Sequence, residues 1–210
     1  MLAASDPSGD RAHRLARHWA RLVLRACGVR VVVRGAANLP TCAAVYAANH
    51  GSALDIPIVF GHLPLSFRII YKKSLSLLPV VGWYLHLGGH IAIDRGNPFE
   101  ARKSLDSAAE RIRGGTSVTV FPEGTRGSDA SVGLFKRGSF QLALNAAVPV
   151  VPVSLVGVKR VAPRGIWTLR PGTVELRIHP LVATEGRPLD GAEALAEEVR
   201  EIVERGCREE

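Results

Sequence analysis

Short apolar runs of strand character alternate with helical stretches along most of this chain, and no other feature limits its fold as tightly. Strands are expected at residues 29–34, 43–48, 90–94, 117–121, 149–155 and 173–179, all brief and rich in Val, Ile or Ala. Helices are expected from about residue 54, with Pro57 tolerated in the first turn, and at 97–113, 140–146 and 192–205. Helix 97–113 gathers Phe99, Leu105, Ala109 and Ile112 near one face and ends at Gly114-Gly115. Strands spaced by helices predict an α/β fold: a mixed, partly parallel sheet flanked by helices. At 210 residues the chain suits one sizeable core and is short for two. It carries no repeat, linker or low-complexity block, so residues 29–210 are read as a single α/β domain.

The first 28 residues read differently. Residues 1–10 are small and polar and are expected to be disordered. Residues 11–27 form a basic amphipathic helix, with Leu15, Trp19, Leu22, Val23 and Ala26 on one side and Arg11, Arg14, Arg17, His18, Arg21 and Arg25 on the other. Such a helix either lies in a membrane interface, with arginines on lipid phosphates, or packs on the domain with a solvated basic face. The first reading is favoured, because six basic positions without an acid exceed what solubility needs. No run of about twenty apolar residues is present, so no conventional spanning helix is expected. The segment Leu22-Val23-Leu24 is too short and too flanked by arginine for a signal peptide. Residues 77–87 are strongly apolar and suit core or a shallow membrane-facing segment equally.

A formal net charge of +8 favours an anionic partner: nucleic acid, an anionic membrane or a phosphorylated substrate. Few aromatic residues and no recognised motif speak against a nucleic-acid-binding module. Cys27, Cys42 and Cys207 form no CxxC pair, which argues against a zinc ribbon or a disulfide scaffold and for a reducing, cytoplasmic active site. The histidines show no HExxH spacing, so no metal is expected.

Three polar segments sit directly after apolar strands, where α/β folds open their crevices. The first is Asn49-His50-Gly51-Ser52-Ala53-Leu54-Asp55. A carboxylate beside an imidazole fixes its tautomer, and the other ring nitrogen can then take a proton. The bland alternative is a buried His satisfied by a helix-capping Asp. On a regular helix the two side chains would point apart, so a loop-to-helix transition is needed. Ser52 lacks a Gly-x-Ser-x-Gly setting and is read as structural. The second segment is Phe121-Pro122-Glu123-Gly124-Thr125-Arg126, which supplies a hydroxyl acceptor and a phosphate-binding fork, or an ordinary turn with a surface ion pair. The third is Gly89-His90-Ile91-Ala92-Ile93-Asp94-Arg95, preceded by Lys72-Lys73-Ser74-Leu75. Taken singly, its cations would be solvated surface charges.

In order, His50-x4-Asp55, Gly89-x3-Ile93-Asp94-Arg95, Phe121-Pro122-Glu123-Gly124-Thr125-Arg126 and Val148-Pro149-Val150-Val151-Pro152-Val153 resemble the four blocks of the glycerolipid acyltransferases. Lys72-Lys73-Ser74-Leu75-x3-Pro79-x2-Gly82-Trp83 and Phe135-Lys136-Arg137-Gly138-Ser139-Phe140 look like the 1-acylglycerol-3-phosphate acyltransferase branch. The resemblance covers roughly residues 30–160, and four ordered blocks are specific where one is weak. It implies a glycerol-3-phosphate acyltransferase-like fold and transfer of a fatty acyl group from acyl-CoA or acyl carrier protein to the sn-2 hydroxyl of lysophosphatidic acid. It implies His50 as general base, Asp55 as its partner and Glu123 holding the acceptor's glycerol. Gly124 and Thr125 would complete the substrate-binding turn. Arg126 and Arg95 would bind the phosphate, assisted by Lys73 or Lys72. It further implies no cofactor and a place at the cytoplasmic face of the inner membrane, on an anionic surface. Another lyso-lipid, such as a lyso-ornithine lipid, is the alternative acceptor. Hydrolysis by the same His and Asp is a competing reaction, and membrane recruitment without activity a further rival. His90 departs from the family's usual apolar residue, a change expected to touch the acceptor pocket. The region beyond about residue 160 carries no motif.

Overall fold

The computed structural model describes residues 8–94, 96, 98–125, 132–163 and 169–208. In chain order its elements are α1 (Asp10–Ala26), β1 (Val29–Arg34), β2 (Val45–Ala48), α2 (Asp55–His62), β3 (Arg68–Lys72), α3 (Val81–Leu87), β4 (Ile91–Ile93), α4 (Pro98–Arg113), β5 (Val118–Val120), α5 (Gly138–Ala146), β6 (Val150–Val156), α6 (Val158–Val161), β7 (Gly172–Ile178) and α7 (Ala192–Arg208). The strands form one seven-stranded sheet in the order β1-β7-β6-β2-β5-β3-β4. Neighbours are parallel from β6 through β2, β5 and β3 to β4, while β7 runs antiparallel to β6. The sheet is therefore mixed, and five strands present their C-terminal ends along one edge.

The central strands β2, β5 and β6 are buried along their whole length. Helices on both faces explain why these strands read as continuous apolar runs rather than alternating ones. On one face Ala109 and Ile112 of α4, Phe140 and Leu142 of α5, and Leu195 and Val199 of α7 pack together. On the other, Leu24 of α1, Ile58 and Val59 of α2 and Leu63 just after it cover Val151, Val153 and Leu176. Each large side chain buried in this way contributes roughly 1.5–3 kcal/mol.

Strand β3 was not anticipated. Its composition suits a strand, but Arg68 interrupts the apolar run. That arginine is only 3% exposed. Its guanidinium donates to the Phe67 carbonyl at 2.8 Å, the Ser66 hydroxyl at 3.1 Å, Asp10 Oδ1 at 2.9 Å and the Ser8 carbonyl. Ser8 and Asp10 belong to this arrangement, whereas the sequence reading extended the disordered start to residue 10; residues 1–7 lie outside the described residues.

Helix α1 docks in an unexpected orientation. His13, Ala20 and Leu24 are its buried residues. Arg17 donates to the carbonyls of Leu63 and Leu65 at 2.7 and 2.6 Å, and Arg21 to that of Gly61 at 2.8 Å. Gly61 belongs to the last turn of α2, where the helix leaves acceptors unsatisfied and favours cations, and Leu63 and Leu65 follow in the turn beyond it. Part of the basic side thus faces the protein. The greasy side looks outward, with Leu15, Trp19 and Leu22 exposed by 73%, 59% and 62%. Arg11, Arg14, His18, Arg21 and Arg25 are exposed as well, so the helix packs on the domain with most of its basic side solvated and its apolar row Leu15, Trp19 and Leu22 solvated too. In the segment 77–87, Gly82 and Leu85 are buried, but Leu77, Val80, Trp83 and Leu87 are exposed. Helices α1 and α3 are linked through Phe60, whose ring lies 5.6 Å from His13 and 6.1 Å from Tyr84.

His90 belongs to this aromatic cluster. Its ring lies 5.1 Å from Tyr84 and 5.8 Å from Phe60, and its Nδ1 accepts the Ile69 N–H at 3.0 Å. It precedes β4 and therefore sits at the N-terminal end of that strand, away from the edge carrying the polar segments. That position corrects the expectation that His90 touches the acceptor pocket. Desolvation, then the charge of Arg68, pushes its pKa down to about 3. Desolvation followed by the charges of Arg17 and Arg68 lowers that of His13 to about 4.

Candidate active site

Strand β2 is tied off by the residue that follows it. Asn49 Oδ1 accepts the Leu155 N–H at 2.8 Å, and its Nδ2 donates to the Leu155 carbonyl at 3.1 Å. The amide side chain imitates a strand partner and fixes the chain to β6 immediately before His50. His50 then lies in the loop, and Asp55 is the first residue of α2. The bend between them brings His50 Nδ1 to 2.8 Å from Asp55 Oδ2.

Asp55 is 0% exposed. Its Oδ2 also accepts the N–H groups of Gly51 and Ser52, at 2.7 and 2.8 Å. Three donors on one oxygen, at the start of a helix, offset the burial of a charge. Asp55 Oδ1 has no hydrogen-bond partner among the described residues. With Nδ1 directed at the carboxylate, Nδ1 carries the proton of a neutral ring and Nε2 presents the lone pair. The ring packs against Phe121 with centroids 4.5 Å apart.

Glu123 follows β5, the neighbour of β2, and is buried. Its Oε1 accepts the His50 backbone N–H at 2.7 Å, and its Oε2 accepts that of Gly133 at 3.2 Å. In this structure the carboxylate thus positions the main chain that carries His50. Gly124 has φ +76°, and a Cβ there would meet Lys136 Nζ at 2.7 Å, so its bareness admits that ammonium. Thr125 is exposed.

A cavity of about 260 Å³ opens beside these groups, lined among others by His50, Asp55, Glu123, Lys159, Arg160 and Cys207. Lys159 and Arg160 come from α6, and Cys207 from α7. The sequence reading assigned none of the three a role. Lys159-Arg160 lies just past the C-terminal end of β6, the same kind of position that singled out His50 and Glu123, so that signal was available. Cys207 carried none; burial raises its thiol pKa to about 11. The C-terminal region also braces β6, where Ser154 Oγ donates to the Val203 carbonyl at 2.9 Å and lies 2.7 Å from His179 Nε2.

Two of the expected cations, Lys72 and Lys73, stand on the other side of β2 from β6. Lys72 ends β3 and Lys73 follows it, two strands from β2. Lys73 Nζ donates to Asp94 Oδ2 at 3.3 Å. Arg95 and Arg126 lie outside the described residues.

Comparison with known proteins converges on one family. The acyltransferase family model matches residues 30–156. A 1-acyl-sn-glycerol-3-phosphate acyltransferase of Pseudomonas aeruginosa is 34% identical over 94% of this chain and 77% of its own length. One from Chlamydomonas reinhardtii is 37% identical over 92% of this chain. The chain spans 59% of the length of that algal relative and 49% of a chloroplast relative from Arabidopsis thaliana. The crystal structure of the 1-acyl-sn-glycerophosphate acyltransferase PlsC from Thermotoga maritima superimposes with a TM-score of 0.78 at 33% identity, covering 92% of this chain and 77% of that one.

Proposed function

This chain belongs to the acyltransferase family, and from that premise we propose that it transfers a fatty acyl group from acyl-CoA or acyl carrier protein to the sn-2 hydroxyl of lysophosphatidic acid, giving phosphatidic acid. The observation that carries this reading is the 2.8 Å His50–Asp55 contact on the wall of an open cavity.

In the proposed reaction His50 Nε2 takes the proton of the acceptor hydroxyl as its oxygen attacks the thioester carbonyl. The new C–O bond forms, the carbonyl becomes a tetrahedral oxyanion, and Asp55 stabilises the imidazolium. Collapse breaks the C–S bond, and the departing thiolate receives the proton held by His50. The hydroxyl comes from the acceptor and the thioester is already activated, so the scheme uses no acyl-enzyme, metal or cofactor. Glu123 holds the backbone of the base in place and, with Gly124 and Thr125, borders the acceptor. Lys72, Lys73, Arg95 and Arg126 are the proposed phosphate cations.

The proposed substrates are lipids, and the exposed row Leu15, Trp19 and Leu22 supports peripheral attachment to a membrane interface; the net charge of +8 favours an anionic one, and the cytoplasmic face is part of the proposal. Among the described residues no helix is long and apolar enough to cross a membrane.

The test is an assay of the purified protein with lysophosphatidate and each donor in turn, with products followed by mass spectrometry. Phosphatidic acid is expected from wild type, and almost none from folded His50→Ala. Better use of another lyso-lipid would replace the acceptor; release of free fatty acid without any acceptor would replace the reaction.

A further inference from the structure

A second cavity, of about 490 Å³, opens where α1, α2 and β1 meet. Arg21 and Arg25 of α1, Arg30 of β1 and His62 at the end of α2 converge on it. It shares no lining residue with the cavity of His50. Strand β1 stands three strands from β2, which is about 14 Å at ordinary strand spacing.

This lining differs from a solvated basic surface. Five other arginines, Arg34, Arg177, Arg187, Arg200 and Arg208, are paired with glutamates. No carboxylate lines the cavity, and neither Arg25 nor Arg30 enters an ion pair among the described residues. Arg21 and Arg25 lie one helical turn apart on the same side, where like charges repel. Arg21 is held in place by the bond from its Nε to the Gly61 carbonyl at 2.8 Å. Gly28 makes the turn into β1 with φ +67°, and its N–H donates to the Arg25 carbonyl at 3.0 Å. That turn brings Arg30 back beside Arg25. Burial, then the charge of Arg21, holds the His62 pKa below its ordinary value, and Arg17 and Arg25 act in the same direction. A phosphate in the cavity would relieve this repulsion and meet planar guanidinium forks.

The cavity also adjoins the outward apolar row. Leu22, exposed by 62%, precedes Arg25 by three residues and so neighbours it on the helix surface. A phospholipid whose phosphate is held by the arginines can lay its glycerol and chains along Leu22 and Trp19, whereas inorganic phosphate has nothing to place there.

Resting on the membrane-attachment reading above, we propose that Arg21, Arg25, Arg30 and His62 form a headgroup site for an anionic glycerophospholipid that is not a substrate, clasping one membrane lipid beside the inserted row of α1.

The experiment uses the full chain as wild type, Arg30→Ala, Arg25→Ala/Arg30→Ala and Arg14→Ala. Arg14→Ala makes the same charge change as Arg30→Ala but lies on the exposed arc of α1 outside the cavity. Calorimetry reads binding of monomeric short-chain phosphatidylglycerol, of phosphatidylcholine with the same chains, and of inorganic phosphate. A charge-assisted contact is worth roughly tenfold or more. Arg30→Ala is expected to weaken phosphatidylglycerol binding about tenfold and the double variant about a hundredfold, with Arg14→Ala within about twofold of wild type. Phosphatidylcholine and inorganic phosphate are expected to bind at least tenfold more weakly than phosphatidylglycerol. Melting temperature and turnover of dispersed lysophosphatidate are expected to stay unchanged in Arg30→Ala. Absence of saturable phosphatidylglycerol binding, binding indifferent to Arg30, or equal losses from Arg14→Ala and Arg30→Ala would each overturn the proposal. Inorganic phosphate binding as tightly as the lipid would overturn the lipid assignment. Sedimentation with phosphatidylglycerol vesicles separates the two readings: failure of wild type to sediment removes membrane attachment, while the calorimetry with monomeric lipid still decides the headgroup site.

Discussion

Replacing Asp55 with Asn separates the charge of the catalytic brace from its shape. The amide is nearly isosteric with the carboxylate, and its oxygen can occupy the Oδ2 position, where it still accepts from His50 Nδ1, Gly51 N and Ser52 N. Its NH₂ group would take the place of Oδ1, which has no partner among the described residues. Three charge-assisted bonds become neutral ones at about 1 kcal/mol each, partly offset because no charge is now buried. Folding stability should therefore change by no more than about 2 kcal/mol. Catalysis should suffer more. The imidazolium formed during proton transfer faces a carboxylate with charge centres about 4 Å apart, an attraction of about 4 kcal/mol at an effective dielectric constant near 20. Losing it corresponds to roughly a thousandfold in kcat. The measurement is kcat at saturating acceptor and donor, beside a thermal melt on the same preparation. Folded Asp55→Asn protein retaining more than about a tenth of wild-type kcat would show that the carboxylate does not stabilise the charged ring.

Glu123→Ala removes the acceptor for two backbone N–H groups; it is expected to lower stability by about 1–3 kcal/mol and kcat at least tenfold, with Glu123→Gln intermediate in both, as read by chemical denaturation and steady-state rates. Changing Leu15, Trp19 and Leu22 together to Ser should leave the melting temperature nearly unaltered, because all three are exposed. Sedimentation with anionic vesicles should weaken by roughly a hundredfold, at about 1 kcal/mol per side chain, and undiminished sedimentation would dismiss the outward row as an anchor. His13 and His90 stay neutral when folded, down to about pH 4 and 3, while their unfolded counterparts protonate near pH 6.5. The unfolded chain therefore binds more protons below that value, and stability falls as the solution is acidified. These two residues should remove about 2–4 kcal/mol between pH 7 and 5, and a flat stability over that interval in denaturant titrations would contradict their burial.

His50 and Asp55 were legible because a strand of wholly apolar residues runs straight into a polar turn, and strand ends in α/β folds carry chemistry. Their approach was only half legible, since it depends on where α2 starts. Strand β3 was hidden by Arg68, whose burial makes sense only with Asp10, 58 residues away, beside it. The outward turn of α1 was hidden for a similar reason. Periodicity shows which residues share a face, but not that carbonyls of Gly61, Leu63 and Leu65 would claim Arg17 and Arg21. Glu123 was recognised as a member of the site, while its bond to the His50 amide follows from β5 lying beside β2.

The shared edge of parallel strands has an evolutionary corollary. Each chemical part hangs from its own short loop, and the loops after β5 and β6 touch the histidine turn directly, through Glu123 and the Lys159 stem. The β3–β4 rim stands two strands away from that turn. Swapping this rim alone between relatives is therefore a practical way to retune substrate preference without rebuilding the proton-transfer centre.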